Sequence, residues 1–459
     1  MKTVIGLEVH VQLNTKSKLF CGCSTKGDEP NSSVCEVCLG MPGAKPVLNK
    51  KAVDYALKVA LALNCKVNKE FFFSRKTYFY PDLPNGFQIT QYEVPVGEKG
   101  FLEVDGKKIN ITRVHLEEDP ASLVHSEGMQ KSNYSLVDYN RSGIPLVEIV
   151  TDPDIESPEQ ARKFLDKLVT ILNYLGVYAQ GESVLKADCN LSIKGSERVE
   201  VKNVTGFKAV ETALSVEEIR QRKAIENGEK IVLETRAFDS ETNTTYSLRK
   251  KETENDYGYI FEPNLVKTEI SEEWLNKIKE SIPELAEEKA NRFVKEFGLT
   301  EYDAKVLSGN NQLAEIFEKS AKIDVKLATR FVSRELLGIL NYNKVSIDKT
   351  KVSADGIISL ILLVKEGKVS DKSVKDSLIE YVTKGISPKE FLEKNNLLIE
   401  SSNSDLKVVV KEVVEENKIA FEELKQGNNK SLNFLIGLVM RKMKGKADAR
   451  KIQEIIKSL

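Results

Sequence analysis

Residues 111–119 read ITRVHLEED and residues 136–149 read LVDYNRSGIPLVEI, two segments with the apolar pattern of β-strands. The chain has only three histidines, and residues 111–149 contain two of them, His115 and His125. The third, His10, lies near the amino end in the sequence IGLEVHV, which also reads as a strand. Both His10 and His115 stand beside carboxylates. The sequence therefore predicts strands on which imidazoles and carboxylates are concentrated.

The side-chain alternation of a strand decides which of these groups can meet. Residues two apart share a face, so Glu8 and His10 point the same way. In the second segment one face carries His115, Glu117 and Asp119. Glu118 lies on the other face unless a bulge near Pro120 re-aims it. If the two strands are neighbours, the groups form one patch that suits Mg²⁺ or Mn²⁺; the alternative is an exposed, charged strand end.

The cysteines form a second group of metal-binding residues. Four of the six occur as a C-x-C pair and a C-x-x-C pair separated by eleven residues, on a segment rich in turn-forming residues. This spacing predicts a tetrahedral Zn²⁺ site, with disulfides or free thiols as the alternatives. The set contains no histidine and leaves no open position, so the predicted role is structural. The four are Cys21, Cys23, Cys35 and Cys38, whereas Cys65 and Cys189 are expected to be buried hydrophobic residues.

The composition is that of an ordinary globular protein. Of 459 residues, 41% are hydrophobic and 30% are charged, and the net charge is −1. This length predicts about three domains, and the near-neutral charge means that any nucleic-acid site must be a local basic patch. No apolar run reaches the roughly 20 residues of a membrane span. The chain starts in a strand pattern without a signal peptide, so we expect a cytoplasmic protein.

Strand and helix patterns divide the chain. Short strands alternate with turns between residues 88 and 150, which favours an antiparallel sheet. Asn49 and Ser157 are typical helix N-caps, and after about residue 270 the strand patterns stop and helices take over. The sequence therefore predicts an α+β fold. Its domains are an N-terminal domain, 1–270, built on a largely antiparallel sheet with helices and with the zinc loop inserted near 21–38; an all-α domain, 271–404; and a small tail domain of three helices, 405–459.

Three further segments carry candidate binding residues. The loop SRKTYFYPDLPNGFQI, residues 74–89, places Arg75 and Lys76 among clustered aromatics; it is either a binding loop or a loop held together by its own aromatic side chains. Arg141 can bind a carboxylate or phosphate through two parallel hydrogen bonds. Lys186 and Asp188 share one face of another alternating strand.

Basic residues are concentrated at the carboxyl end. From Lys425 to Leu459 there are nine basic residues and two acidic ones, a local net charge of +7. A basic face on a small helical module suits the phosphates of a structured RNA; the alternative is a solvated helix face. The candidate RNA-binding residues are Arg441, Lys442, Lys444, Lys446, Arg450 and Lys451.

Several common sites are absent from the sequence. There is no G-x-x-x-x-G-K-[ST] phosphate loop and no G-x-G-x-x-G after a strand. There is also no G-x-S-x-G nucleophile elbow and no Gly/Ser-rich amidase signature.

The segments HLEED…SLVDYNRSGIPLVEIV and VIGLEVHVQL closely resemble the B subunit of the tRNA-dependent amidotransferases, and the resemblance extends over nearly the full length. It implies that the N-terminal domain is a catalytic cradle that uses ATP and Mg²⁺ (or Mn²⁺). The implied reaction phosphorylates the side-chain carboxylate of a mischarged Asp-tRNA(Asn) or Glu-tRNA(Gln). Ammonia from a partner glutaminase (amidase) subunit then displaces phosphate, and a small third subunit bridges the other two.

The resemblance also implies roles for individual residues. The metal ligands would be Glu8, His10 and Glu118, with Glu117 and His115 as alternates. Lys76 and Tyr78 would form the ammonia channel or substrate gate. Arg141, Lys186 and Asp188 would contact the nucleotide or the aminoacyl group. The basic tail would grip the tRNA body.

Two other interpretations remain open at the level of sequence. The chain could be a non-enzymatic RNA-binding scaffold in which only the zinc loop and the basic tail matter. It also resembles the archaeal large subunit specific for Glu-tRNA(Gln), but that subunit carries an inserted synthetase-like domain for which this chain has no room between cradle and helices.

Overall fold

The computed structural model describes residues 2–125, 133–179, 183–250, 258–399, 403–425, 429–443, 447 and 449–459. The chain forms two compact units, Met1–Glu284 and Leu285–Leu459. The first unit combines a large sheet with helices, and the second is helical. The α+β fold predicted from the sequence is confirmed.

The first unit contains all the strands described. In chain order they are β1 (Thr3–Gln12), β2 (Lys66–Val67), β3 (Glu70–Phe71), β4 (Ser74–Thr77), β5 (Phe87–Thr90), β6 (Gly97–Val104), β7 (Lys107–Glu118), β8 (Ser122–Val124), β9 (Leu136–Asp138), β10 (Pro145–Thr151), β11 (Leu185–Ile193), β12 (Val199–Thr205), β13 (Glu234–Asp239), β14 (Thr244–Lys250), β15 (Gly258–Phe261) and β16 (Thr268–Glu269). The helices of this unit are α1 (Lys50–Ala62), α2 (Pro158–Tyr174), α3 (Phe207–Glu226) and α4 (Glu272–Glu280).

Twelve of these strands form one sheet. Its neighbours follow the order β14-β13-β12-β11-β1-β10-β7-β5-β4-β15, and β6 pairs with β7 and with β2. Among the pairs described in this sheet, only β12 and β13 run parallel. The sheet is therefore largely antiparallel, as the short, turn-separated strands predicted.

β1 crosses the middle of the sheet, between β10 and β11. Its odd-numbered residues are buried, whereas Glu8, His10 and Gln12 are partly exposed. Full burial of an aliphatic side chain such as Ile5, which is 0% exposed, contributes about 1.5–3 kcal/mol. A slip of one residue would exchange the two faces, so the apolar positions fix the register of β1. The strand thus separates a core face from a face that carries ionisable groups.

Side-chain caps begin α1 and α2 where the sequence predicted them. Asn49 Oδ1 accepts a hydrogen bond from Lys51 N at 2.9 Å, and Ser157 Oγ accepts one from Gln160 N at 3.1 Å. α1 packs against β6 and β7, and α3 packs against β11 and β12. α4 packs against α1, where Trp274 Nε1 donates to Asp54 Oδ1 at 2.8 Å.

The second unit is a succession of helices. They are α5 (Ala286–Phe297), α6 (Glu301–Ser308), α7 (Asn311–Ala321), α8 (Val325–Thr329), α9 (Leu337–Asn343), α10 (Ala354–Lys365), α11 (Asp371–Lys384), α12 (Pro388–Lys394), α13 (Asn403–Glu416), α14 (Lys418–Lys425), α15 (Asn429–Lys442) and α16 (Ala449–Lys457). A π-helical segment, Arg330–Leu336, joins α8 to α9, and a 3₁₀ turn, Ile347–Lys349, precedes α10. The sequence predicted three tail helices, which correspond to α13, α15 and α16; the short α14 is an additional one.

Two separate hydrophobic cores stabilise the second unit. One extends from Phe293 to Leu392 and the other from Leu406 to Ile456. Thr300 and Ser387 cap helices through their hydroxyl groups. Within the described ranges, no helix is both long and apolar enough to span a bilayer.

Candidate functional site

Three neighbouring strands place two imidazoles and a carboxylate in one row. His10 of β1 lies opposite Glu148 of β10, and Glu148 lies opposite His115 of β7. From the sequence, these groups were expected to meet if the strands of His10 and His115 were neighbours. In the structure β10 lies between the two strands and supplies the central carboxylate. Directly opposed side chains of an antiparallel pair have Cβ atoms about 4.5–5.5 Å apart. The register alone therefore brings these three groups together.

Glu148 and Glu117 each approach both imidazoles. Glu148 Oε2 lies 3.3 Å from His10 Nε2 and 3.5 Å from His115 Nε2. Glu117 Oε1 lies 3.7 Å from His10 Nε2, and Glu117 Oε2 lies 4.0 Å from His115 Nε2. Ligand atoms of His10, Glu117 and Glu148 all lie within 4.8 Å of one another, so one ion could contact all three. One imidazole with two carboxylates suits Mg²⁺ or Mn²⁺.

The carboxylates attract positive charge to His10. Burial opposes its protonation, but the hydrogen bond to Glu148 and the charges of Glu148, Glu117 and Asp188 outweigh burial and raise the pKa of His10 to about 10. Burial also favours the neutral form of Glu148, but the two histidines hold the pKa of Glu148 well below its usual value. Burial, together with the charge of Glu148, raises the pKa of Glu117. The field that favours a proton on His10 also favours a divalent cation at this point.

A second group of carboxylates lies across β1, β11 and β12. Glu8 is opposite Asp188, and oxygens of Glu8, Asp188 and Glu200 all lie within 4.8 Å of one another. Asn190 Nδ2 donates to Glu8 Oε1 at 3.1 Å. Lys202 Nζ lies 3.1 Å from Asp188 Oδ2 and 3.6 Å from Glu200 Oε1. An all-oxygen set of this kind also fits Mg²⁺, with Lys202 neutralising part of its charge.

Both groups contribute to the lining of a cavity of about 500 Å³. A smaller cavity of about 270 Å³ lies along the same strands, and Glu8 lines both. Polar groups of the smaller cavity include Asn190, Ser192 and Arg198. Most residues predicted for the site line the larger cavity. They are Glu8, His10, Lys76, Tyr78, Glu117, Asp119, Arg141, Lys186 and Asp188.

Glu118 lies apart from both carboxylate groups. Its Oε1 accepts a hydrogen bond from Ile89 N at 2.8 Å, and burial raises the pKa of Glu118 to about 8. Adjacent residues of a strand point to opposite faces. Glu117 therefore joins His10, as strand parity favoured, and the set of Glu8, His10 and Glu118 implied by resemblance is not gathered around one point.

Arg141 and Lys76 enter the cavity from loops and strand ends. Arg141 Nε donates to Pro120 O at 2.8 Å, and its Nη2 donates to Ala121 O at 2.6 Å. Asp119 Oδ1 lies 3.6 Å from Arg141 Nε. Lys76 Nζ lies 5.7 Å from the centroid of the Tyr78 ring. The cavity is thus lined by guanidinium and ammonium groups as well as by carboxylates.

The four clustered cysteines come together as the spacing predicted. Sγ atoms of Cys21, Cys23, Cys35 and Cys38 all lie within 4.8 Å of one another, and no disulfide joins them. Cys38 Sγ accepts a hydrogen bond from Cys35 N at 3.1 Å. Four sulfur atoms at this spacing fit a tetrahedral metal ion. Cys65 and Cys189 are buried apart from this group, as expected.

The described part of the basic tail includes three of the predicted RNA-binding side chains. Arg441 and Lys442 are exposed at the end of α15, and Lys451 is exposed on α16. Lys442 Nζ lies 3.1 Å from Glu412 Oε2 and 2.9 Å from Glu416 Oε1, so its charge is partly neutralised. Lys444, Lys446 and the side chain of Arg450 lie outside the described residues.

Sequence reasoning missed three residues of the two carboxylate groups, namely Glu148, Glu200 and Lys202. The signal for Glu148 is a carboxylate inside the apolar run LVEIV, where a charged side chain needs a partner. Glu200 and Lys202 are two apart on one strand and therefore share a face. Parity would have found that pair, but only the register shows that it faces Asp188.

Two family models match the chain. The model described as "GatB/GatE catalytic domain" matches residues 3–276, and the model described as "GatB domain" matches residues 313–459. Together they cover most of both compact units.

Curated relatives match over the full length. A protein of Thermotoga petrophila, named as the B subunit of aspartyl/glutamyl-tRNA(Asn/Gln) amidotransferase, is 44% identical over 475 residues, covering 100% of this chain and 98% of the relative. Proteins of the same name from Methanospirillum hungatei and Thermodesulfovibrio yellowstonii are each 44% identical over 472 residues. These alignments cover 100% and 99% of this chain, respectively, and 98% of each relative.

Proposed function

This chain belongs to the family formed by the B subunit of the aspartyl/glutamyl-tRNA(Asn/Gln) amidotransferases, and from that membership we propose that it catalyses ATP-dependent transamidation of mischarged tRNA. It is the part of a glutamine-dependent carbon–nitrogen ligase that phosphorylates and amidates the aminoacyl group. The substrate is Asp-tRNA(Asn), Glu-tRNA(Gln) or both. The chain acts in the cytoplasm with two partners, a glutaminase (amidase) subunit and a small bridging subunit.

The observation that carries this proposal is the pair of carboxylate groups at one cavity. His10, Glu117 and Glu148 form one candidate cation site, and Glu8, Asp188 and Glu200 form the other. A divalent cation, when bound there, supplies the positive charge that phosphoryl transfer requires. Both sites adjoin a cavity large enough for a triphosphate and an aminoacyl group, about 500 Å³.

We assign the nucleoside of ATP to the smaller cavity. Its volume of about 270 Å³ and its polar groups Asn190, Ser192 and Arg198 suit a base with its ribose. Because Glu8 lines both cavities, the phosphates can extend from the smaller cavity toward the carboxylate groups. Lys186 and Arg141 then face the γ-phosphate and the aminoacyl carboxylate in the larger cavity.

The transamidation proceeds in two steps, phosphorylation of the carboxylate and then its amidation. A carboxylate oxygen of the Asp or Glu side chain attacks the γ-phosphorus, and ADP leaves. The nitrogen of ammonia then attacks the acyl carbon, phosphate leaves, and one proton is released. Lys76 and Tyr78 stand at the cavity wall as the gate through which ammonia arrives. A closed passage matters because ammonia in water near neutral pH is mostly NH₄⁺, and water would hydrolyse the acyl phosphate.

The cysteine cluster and the tail have supporting roles. Zn²⁺ is the ion that four thiolates and no open position favour, and its role is structural. The exposed Arg441 and Lys451 bind phosphates of the tRNA body, together with the other basic residues of the tail. The comparisons do not support the alternative of a non-enzymatic scaffold, because the catalytic-domain model covers residues 3–276.

The test is an assay of the chain purified with its glutaminase and bridging partners. Asp-tRNA(Asn) and Glu-tRNA(Gln) are supplied separately with glutamine and ATP, and the amidated product is measured. His10→Ala should abolish amidation while tRNA binding stays near that of the unchanged chain. His125→Ala is the matched control, because His125 is a partly exposed histidine that contacts Ser135 outside the cavity. Wild-type turnover of His10→Ala would overturn the proposal.

A further inference from the structure

Lys18 is a charged side chain at an unusual depth. It is 0% exposed and is among the largest fully buried side chains of the described residues, by volume. A buried ammonium costs several kcal/mol unless a negative group balances it. Lys18 Nζ donates to Tyr139 O at 3.0 Å, but a carbonyl carries no net charge. Within the described ranges, no carboxylate lies within the 4.0 Å ion-pair distance of Lys18 Nζ.

The negative charge available to Lys18 comes from the cysteine cluster. Lys18 is joined to this cluster by its backbone, because Lys18 N donates to Cys23 O at 3.0 Å. The side chains of Lys18 and Cys38 both lie next to Gly143. A Cβ atom added to Gly143 would lie 3.6 Å from Lys18 Cδ and 3.9 Å from Cys38 Cβ. Four thiolates around one divalent cation leave two net negative charges, which is what a buried ammonium needs.

The same residues connect the cluster to the cavity. Ser142 Oγ donates to Cys38 O at 3.0 Å, and Leu19 N donates to Gly143 O at 2.7 Å. Lys18 adds its bond to Tyr139 O, and three further hydrogen bonds join Tyr139 and Asn140 to residues between Cys23 and Cys35. Arg141, which lines the cavity, lies in the middle of that segment.

We propose that Lys18 is the charge partner of the metal-bound cysteine cluster and the positioning residue that fastens the segment Tyr139–Gly143 to it. The proposal rests on the metal occupancy proposed above. Lys18 stabilises the tetrathiolate with its charge and, through Tyr139 O, holds the backbone beside Arg141. Loss of the ammonium should therefore weaken metal binding and loosen that segment together.

The experiment compares metal binding by the full chain and its Lys18 variants. Bound Zn²⁺ is counted after purification, and its affinity is measured by competition with a chromophoric chelator; Co²⁺ in its place reports tetrathiolate coordination by its absorption. Lys18→Met should lower the affinity about 10- to 100-fold, the effect expected when a group that supports the metal ligands is lost. Lys18→Arg should restore most of it, because a guanidinium keeps the charge. Lys16→Met, which removes an exposed lysine two residues away, is the matched control.

Hydrogen exchange provides the second readout. Amides of residues 139–143 should exchange faster in Lys18→Met than in the unchanged chain or in Lys16→Met. If Lys18→Met does not fold, Lys18→Gln replaces it. If neither neutral variant folds while Lys18→Arg folds and binds metal normally, the requirement for a cation is supported.

The outcomes distinguish the proposed role of Lys18 from the proposed metal occupancy of the cysteine cluster, on which it rests. Absence of stoichiometric metal in the unchanged chain would refute metal occupancy itself. Normal metal in the unchanged chain, with equal affinity in Lys18→Met, would refute the role of Lys18 alone. An affinity in Lys18→Arg as low as that in Lys18→Met would show that charge is not the reason.

Discussion

His10 Nε2 lies 3.7 Å from Glu117 Oε1, although β1 and β7, the strands that carry these residues, are not paired with each other. β10 lies between them, and its Glu148 contacts His10 of β1 and His115 of β7. Side chains that rise from one face of a sheet can meet above an intervening strand when they are long enough. The two ends of the cluster are therefore joined by a residue from a third segment.

The first prediction separates the neighbouring residues Glu117 and Glu118. Glu117→Gln should weaken Mn²⁺ binding by at least about 10-fold, because it removes a carboxylate from the group around His10. Glu148→Gln should do the same. Glu118→Gln should leave Mn²⁺ affinity near that of the unchanged chain, because the Glu118 side chain bonds to Ile89 N instead. Electron paramagnetic resonance of free Mn²⁺ measures the affinity. Equal losses for Glu117→Gln and Glu118→Gln would contradict the assignment.

Strand parity explains why part of this site could be predicted. Alternation in IGLEVHV placed Glu8 and His10 on one face, and the same rule favoured Glu117 over Glu118. These are local properties, set by the period of the strand and by burial of the apolar positions. Helix caps such as Asn49 and Ser157 are local in the same way, because the side chain bonds to the backbone two or three residues on.

The rest of the site depended on pairing between distant segments. Glu148 reads as an interruption of a buried strand until β10 is known to lie between β1 and β7. Glu8 faces Asp188 and Glu200 only because β11 and β12 follow β1 in the sheet. Likewise, the sequence alone predicts that Lys442 is available to bind RNA, whereas in the structure Glu412 and Glu416 of α13 lie next to its ammonium group. A single sequence contains no direct record of these pairings.

The second prediction concerns cysteine reactivity. With metal bound, none of the six cysteines should react readily with iodoacetamide near pH 8. After removal of the metal by a chelator, the four cluster thiols should react, while Cys65 and Cys189 should stay unmodified because both are buried. Mass spectrometry of peptides measures each site. Rapid labelling of Cys65 in the folded, metal-loaded chain would contradict its burial.

The third prediction concerns Cys65 and alkaline pH. Burial raises the pKa of the Cys65 thiol from 9.0 to about 12. Between these values the unfolded thiol loses its proton and the folded thiol keeps it, so the free energy of unfolding falls as pH rises. Cys65→Ala should reduce this fall in urea unfolding followed between those pH values. An unchanged slope would assign the alkaline loss of stability to other groups.

The fourth prediction concerns an ion pair, with a buried carboxylate, between β4 and the end of β15. Arg75 Nε lies 2.7 Å from Glu262 Oε2, and Arg75 Nη2 lies 3.0 Å from Glu262 Oε1; Glu262 is 1% exposed. Glu262→Ala removes the partner of a guanidinium whose side chain is 23% exposed, and should lower the free energy of unfolding by about 1.5–3 kcal/mol. Fluorescence of Trp274, the only tryptophan, reports unfolding of this unit in urea.

Two further variants test the reason for that loss. Glu269→Ala removes an exposed glutamate nearby in sequence and should change stability by less than about 1 kcal/mol. Arg75→Met combined with Glu262→Leu should recover much of the loss, because no unpaired charge remains. A double variant as unstable as Glu262→Ala would point to lost packing instead of the unpaired charge.

The last prediction distinguishes two adjacent basic residues in the tail. Arg441→Ala should weaken tRNA binding and reduce the slope of log K against log salt by about 0.9 for one lost duplex phosphate contact. Lys442→Ala should have a smaller effect, because Glu412 and Glu416 already neutralise much of its charge. Glu412→Gln with Glu416→Gln frees Lys442 and should raise the affinity. Fluorescence anisotropy of labelled tRNA between about 50 and 200 mM salt measures each slope. If Lys442→Ala weakened binding as much as Arg441→Ala, the ion pairs would not persist in the complex, and both residues would contact phosphate equally.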